Sequence, residues 1–177
     1  MNNNRIKEII IEGRLQLGNL YIINLMENII EKIIINKAQK LNKLQEINLQ
    51  QNKIEDISFF ENIEMKGLKR LFLGNNKIEN IEILGELKIN KISSLELNNN
   101  KITDINILKH MSLNHLNILN LSANYINNIK PLENLRMPKI KNILLHNNLI
   151  STNQQKNNDI LNNIRERFHY NYFNIII

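Results

Sequence analysis

Between Leu95 and Ile105 the chain reads LELNNNKITDI. Leucines alternate with a polar residue across Leu95-Glu96-Leu97, so the two leucines share one face of a short strand. Three asparagines follow, and asparagine favours turns over helix or strand. The same order of apolar and polar positions recurs at one fixed interval along the chain. Ile92, Leu95, Leu97, Asn100 and Ile102 stand in register with Leu68, Leu71, Leu73, Asn76 and Ile78. They also match Leu44, Ile47, Leu49, Asn52 and Ile54, and before those Leu20, Ile23, Leu25, Asn28 and Ile30. Two further copies follow: Leu116, Leu119, Leu121, Asn124 and Ile126, then Ile140, Ile143, Leu145, Asn148 and Ile150. The interval from one asparagine to the next never changes, with no insertion or deletion.

The second half of the unit keeps the same register. Asn4 extends the series toward the N-terminus, and five residues after each asparagine from Asn4 to Asn124 stands an isoleucine: Ile9, Ile33, Ile57, Ile81, Ile105 or Ile129. Phe60, Leu84, Leu108 and Leu132 follow three residues later, and Leu17, Leu41, Met65, Ile89, Leu113 and Met137 close the units. The consensus is LxxLxLxxNxIxxIxxLxxLxLxx. A fixed period of this length predicts stacked units, each unable to bury its apolar face alone. The short strands would pair into a parallel sheet over a continuous core.

A coil that turns sharply after its strand leaves backbone groups needing partners inside the stack. An asparagine amide both donates and accepts. Asn28, Asn52, Asn76, Asn100, Asn124 and Asn148 are therefore assigned to the scaffold, as a ladder that satisfies the turn. Losing one would strand buried polar groups at a cost of about 1–3 kcal/mol. Asn98 and Asn99 are expected to point elsewhere.

The unit resembles the signature L-x-x-L-x-L-x-x-N-x-I/L of the leucine-rich-repeat family, in six complete copies spanning roughly residues 4 to 150. Isoleucine after the asparagine and again three residues later looks most like a short-repeat subclass. That subclass is found in a nuclear regulatory subunit of a type-1 protein phosphatase and in an axonemal dynein light chain; the present unit is two residues longer. The resemblance implies an α/β repeat fold, a leucine-rich-repeat solenoid with a curved parallel β-sheet and loops or short helical turns on its convex side. It also implies protein–protein interaction through the concave face.

The expected organisation is a solenoid over residues 1–150, with six full repeats and a partial one at the N-terminus, and a C-terminal cap over 151–177. Ile160, Leu161, Ile164 and Phe168 fall at helical spacing within 157–168, which predicts a capping helix. The apolar segment Tyr170–Ile177 is expected to pack as a final strand. Residues 5–18 are expected either to close the N-terminal end as an abbreviated coil or to leave an edge that meets a partner.

Other chemistry is sparse. There is no cysteine, hence no disulfide framework and no thiolate metal site. No apolar run reaches the length of a signal-peptide core or a membrane span. A cytoplasmic protein is therefore expected, with a nuclear location as the alternative and no membrane association. His110, His115, His146 and His169 show no metal-ligand spacing. No glycine-rich phosphate loop or nucleophile elbow occurs. The expectation is a non-enzymatic protein with no cofactor and no metal. Asparagine and isoleucine make up 36 and 34 of the 177 residues. These are residues of AT-rich codons, so part of this bias carries no functional meaning.

The net charge is +6. Lys53, Lys77 and Lys101 follow the repeated asparagine; Lys43, Lys91 and Lys139, joined by His115, precede the strand. Stacking would make a basic column along each rim. Acidic residues two positions beyond the first column (Glu55, Glu79) and the scarcity of aromatics argue for solubility rather than nucleic-acid binding.

The variable residues of each strand form the concave face. A sheet face open to water is polar unless something covers it. Phe72, Ile118 and Leu144 break that rule, and Arg70 and Glu96 flank Phe72 in the mixture typical of binding hot spots. The candidate partner-binding residues are Arg70, Phe72, Glu96, Asn98, Ile118, Asn120, Leu144 and His146. The expected function is an interaction module or adaptor for a protein partner. The alternatives are a regulatory subunit that docks on or masks an enzyme such as a phosphatase, and binding of nucleic acid or an acidic partner through rim lysines. A monomer is expected, with dimerisation through the N-terminal edge as the alternative.

Overall fold

The computed structural model describes residues 4–150, 155–168 and 174–177. In chain order the strands are β1 (Glu8–Ile11), β2 (Ile22–Asn24), β3 (Lys32–Ile35), β4 (Gln39–Lys40), β5 (Glu46–Asn48), β6 (Ile63–Glu64), β7 (Arg70–Phe72), β8 (Ser94–Glu96), β9 (Ile118–Asn120), β10 (Asn142–Leu144) and β11 (Asn174–Ile176). One helix, α1, spans Gln155–Arg167. The main sheet has seven parallel strands in the order β2, β5, β7, β8, β9, β10, β11. From β2 to β10 its register steps by one repeat at each pairing: Glu46 faces Arg70, Arg70 faces Ser94, Ser94 faces Ile118 and Ile118 faces Asn142.

This sheet is one wall of a solenoid whose interior is filled by the periodic apolar residues. Leu68, Leu71, Leu73, Ile78, Leu84 and their equivalents in the next two coils have no exposed surface. Each such side chain contributes about 1.5–3 kcal/mol. No coil can bury these residues without the coils on either side.

The turn after each strand depends on two adjacent residues. The residue before the repeated asparagine takes the left-handed backbone conformation: Glu27, Gln51, Asn75, Asn99, Ala123 and Asn147 all have φ between 53° and 58°. Asn99 thus belongs to the turn, which corrects the expectation that it points away from the scaffold, and its Nδ2 also donates to Asn75 Oδ1 at 2.7 Å. The next residue stitches coils together. Asn100 Oδ1 accepts from the Ile78 N–H at 2.9 Å, while its Nδ2 donates to the carbonyls of Leu73 and Leu97 at 3.0 Å each. Asn52, Asn76 and Asn124 repeat this set of bonds, as does Asn148. The ladder therefore runs from amide to backbone, bridging each coil to the one before it, rather than from amide to amide.

The convex side changes character along the stack. Short 3-10 turns occupy Ser58–Asn62, Glu82–Gly85, Asn106–His110 and Lys130–Leu132. Each is opened by a side chain two residues earlier: Asp56, Asn80, Asp104 and Asn128 accept from the N–H groups of Ser58, Glu82, Asn106 and Lys130 at 2.7–3.1 Å. The equivalent positions in the first two coils are Glu8 and Lys32, each followed by three isoleucines. Without a short carboxylate or amide to start a turn, and with β-branched residues favouring extended backbone, β1 and β3 pair instead. Phe59 and Phe60, buried with ring centroids 4.4 Å apart, pack where the two kinds of coil meet.

At the C-terminal end, Ile160, Leu161, Ile164 and Phe168 are buried against the core. Helix α1 begins two residues earlier than the periodicity suggests. Arg167 ties it down by donating to the carbonyls of Glu133 and Leu135. Strand β11 pairs with β10; the earlier part of the expected tail strand, through Phe173, lies outside the described residues. At the N-terminal end, Ile6, Ile9 and Ile11 pack against the core, whereas Ile10, Leu15, Leu17, Tyr21 and Ile22 are exposed. Residues 4–20 thus form a coil in register with the next, in which Ile10, Leu15 and Leu17 stay exposed.

Two substitutions test the turn. Asn100→Ala leaves the buried Ile78 N–H without its partner and takes one of two amide donors from each of the Leu73 and Leu97 carbonyls, which keep Asn76 and Asn124, so a loss of about 1–3 kcal/mol is expected in urea unfolding. Ala123→Gly relieves a left-handed alanine, a strain of about 1 kcal/mol. It should raise Tm by roughly 2–4 °C in a thermal melt.

Candidate functional site

The strand residues that alternate with the core leucines form three columns on the concave face. Their surroundings separate residues that serve the fold from residues that face outward. In the central column, Asn24, Asn48 and Asn120 turn their Oδ1 atoms to the N–H groups of Met26, Gln50 and Ser122 at 3.1–3.2 Å. Asn120 also accepts from the Ser122 hydroxyl at 2.7 Å. Asn120, a predicted surface residue, is thereby engaged in its own turn. Phe72, Glu96 and Leu144 share this column, and each is half-buried.

Arg70 and Glu46 face each other on adjacent strands. Arg70 Nε donates to Glu46 Oε2 at 2.6 Å, with Glu46 far less exposed than Arg70. Phe72 lies beside this pair and opposite Glu96 in the register. Glu96 accepts from Ser94 Oγ and Gln50 Nε2, each at 3.4 Å. Burial pushes its carboxyl above the ordinary glutamate value, and the two hydrogen bonds pull weakly the other way.

Gln50 reaches Glu96 across the coil that carries Gly74. A side chain at Gly74 would meet Asn98: a Cβ placed there lies 2.5 Å from Asn98 Oδ1. Asn98 leans into the space that the glycine at 74 leaves, and the end of its side chain would have to shift to admit a Cβ there. Asn98 Oδ1 and, two coils on, His146 Nδ1 are buried with no hydrogen-bond partner among the described residues. Such atoms are uncommon in folded proteins.

The structure therefore brings Arg70, Phe72, Glu96 and Asn98 into one cluster over two adjacent coils. Ile118, Asn120, Leu144 and His146 continue the same face over the next two. Sequence reading passed over Glu46, Gln50, Ser94 and Gly74. Opposite charges one repeat apart, at Glu46 and Arg70, were a signal for the first of these. Among the described residues no three His, Asp or Glu side chains converge as a metal site. No helix among them is long and apolar enough to cross a membrane.

The two rims differ in charge. Lys53, Lys77 and Lys101, just past the strands, pair with Glu31, Glu55 and Glu79 of the preceding coil at 3.8, 3.1 and 3.1 Å. On the strand-entry side, Lys43 and Lys69 contact neutral partners, Asn19 Oδ1 at 2.7 Å and Gln45 Oε1 at 3.1 Å. Glu64 there is held by Lys66 at 2.6 Å, and that lysine lowers its pKa.

Glu96 gives a pH test. A raised carboxyl pKa means the folded state holds the proton more tightly than the unfolded chain. Stability then falls as pH rises from the ordinary glutamate range through the raised value. Glu96→Gln should raise Tm by a degree or two at pH 7, a small effect because the group is about half exposed. The difference should vanish in melts below the ordinary glutamate range.

A model of leucine rich repeats, in two copies, matches residues 42–86. No curated protein matches the sequence. Among solved structures, an internalin (inlF) from Listeria monocytogenes is 21% identical, aligns over 90% of this chain and has a TM-score of 0.55. This chain spans 61% of that one. An internalin C2 (inlC2) from the same organism is 22% identical, covering 85% of this chain and 77% of its own with a TM-score of 0.47. The functional domain of InlJ, also from Listeria monocytogenes, is 15% identical over 85% of this chain and 43% of its own, with a TM-score of 0.42. The internalin (inlF) comparison shows a shared fold. Together with six copies of the signature at one period and the matching repeat model, it shows that the chain folds as a leucine-rich-repeat solenoid.

Proposed function

We propose that the chain is a non-enzymatic interaction module that recognises a protein partner on its concave face. The observation that carries this reading is the cluster on β7 and β8. Phe72 stands half-exposed on a sheet face whose other central residues are mostly polar, between an arginine–glutamate pair and a carboxylate held against its own desolvation. An aromatic, an arginine and a surround of amides and carboxylates is the composition of protein-binding hot spots. Groups kept with raised pKa values or without partners cost stability, and such costs concentrate where function is served.

The mechanism is rigid presentation. Strands fixed on both sides by neighbours, and turns fixed by the asparagine bonds, leave few backbone degrees of freedom to lose on binding, which keeps the ordering cost low. Nucleic acid is a poorer fit to this face. Glu46 and Glu96 lie near its centre and would oppose a phosphate backbone, and the lysines of the exit rim are already paired with glutamates.

The test is affinity capture from the native host with wild type beside Phe72→Ala and a Phe72→Ala/Arg70→Ala/Glu96→Ala variant, followed by titration of the retained protein. Phe72→Ala should weaken binding at least tenfold, about 1.4 kcal/mol, while circular dichroism and Tm remain close to wild type. Equal binding by the wild type and the folded triple variant would sink the reading.

A further inference from the structure

The positive charge of this molecule is one-sided. Four columns of solvent-facing positions lie between the convex turn and the strand, occupied for example by Lys40, Asn42, Lys43 and Gln45. Over the six coils these columns hold nine lysines and arginines against one acid, Glu64. The remainder of the chain holds fourteen against sixteen. The whole positive surplus therefore sits on the strand-entry rim, and the rest of the molecule is slightly acidic. The nine cations are all exposed. Lys43, Lys69, Lys91, Arg136, Lys139 and Lys141 have no carboxylate partner at ion-pair distance among the described residues.

The stacking fixes these residues in a row. Backbone bonds from Lys69 to Gln45, Ser93 to Lys69, Asn117 to Ser93 and Lys141 to Asn117 run up the rim. At about 4.8 Å per strand, Lys43 and Lys139 stand four coils and about 19 Å apart. An extended peptide covers that distance with about six residues at about 3.3 Å each. The rim borders the concave face directly, since Lys69 precedes Arg70 and Lys141 precedes Asn142.

We propose that the strand-entry rim docks an acidic segment, about six residues long, of the same protein partner that the concave face receives. This rests on the concave-face reading: the partner carries an apolar contact for Phe72 and, to its strand-entry side, a run of aspartates or glutamates. Charge complementarity selects the anion. The neighbouring face selects protein over nucleic acid, because it presents Phe72 and carries Glu46 and Glu96. Apart from Tyr21, these rim positions hold no Phe, Tyr or Trp to stack on bases and no bulky apolar chain to enter a lipid interface.

The probe is a fluorescein-labelled octaglutamate peptide, titrated against the whole chain at 0.05 and 0.15 M salt. Wild type is compared with Lys43→Glu/Lys91→Glu/Lys139→Glu on the entry rim and Lys53→Glu/Lys77→Glu/Lys101→Glu on the exit rim, which change net charge equally. The entry-rim variant should lose octaglutamate binding at least tenfold, and the exit-rim variant less than twofold. If the charge reversals disturb folding by circular dichroism, the corresponding Lys→Gln sets replace them with the same ranking expected. Equal loss in both variants, no binding to octaglutamate, or tighter binding to octathymidylate or to phosphatidylserine vesicles overturns the proposal. Phe72→Ala should leave octaglutamate affinity unchanged. A captured partner lost on Phe72→Ala but kept by the entry-rim variant defeats the rim proposal alone; one lost on the entry-rim variant but kept by Phe72→Ala defeats the concave-face reading.

Discussion

Everything in this solenoid depends on how a chain reverses direction after a three-residue strand without leaving buried backbone groups unpaired. The asparagine amide solves this once per coil. Its oxygen takes an N–H from the preceding coil, and its nitrogen gives to one carbonyl of that coil and one of its own. The N–H, which would cost about 1–3 kcal/mol unpaired, depends on that one side chain, while each carbonyl is shared between the asparagines of two adjacent coils. The bonds span coils, so they also fix register. An inserted or deleted residue would break two sets of bonds at once, which gives the constant length of the repeat a physical basis. The left-handed residue just before the asparagine supplies the bend through its backbone, and its side chain varies among Glu, Gln, Asn and Ala.

The convex side is under a weaker constraint, and it varies. Its inward residues must be apolar, but the path between them is set locally. Asp56, Asn80, Asp104 and Asn128 each start a 3-10 turn by accepting a backbone N–H, whereas Glu8 and Lys32 precede isoleucine runs that become strands. The same repeating unit thus accommodates two backbone shapes within one stack, since the main sheet and the asparagine turn are common to both.

Repeated features were legible in the sequence because each reports a shared requirement. The leucines, the asparagine column and the capping-helix face all came from spacing alone. Legibility failed where the answer lay in contacts between coils or in which of two neighbours does a job. Asn99 and Asn100 are chemically identical, and only the backbone shows that the first bends and the second bonds. Lys77 pairs with Glu55, which holds a different place in the preceding unit, so the pairing appears in no single column of the repeat. Gly74 carries no signal in the sequence, because the Asn98 side chain that fills the space above it belongs to the next coil. On the concave face, Arg70, Phe72 and Glu96 were identifiable as departures from a polar face. The hydrogen bonds that Glu96 accepts from Gln50 and Ser94 were not, because the first spans two coils and the second joins two columns of the strand.

The difference between the two rims follows from the same mechanics. Past the strand, the turn that the asparagine enforces brings the first residue after it close to a side chain of the coil before, at a place beyond that coil's own asparagine. A lysine in one place and a glutamate in the other neutralise each other as a by-product of stacking. Before the strand no such geometry recurs: lysines there meet amides, and Glu64 is the sole carboxylate in those four columns. Exposed pairs contribute little to stability, so the exit-rim pairing is not what holds the fold together. Its effect is to silence one rim electrostatically and leave the other as the side from which a field reaches solvent. A face preorganised by the scaffold and a field confined to one of its borders give this surface a direction, and a partner that matches both can dock in one orientation only.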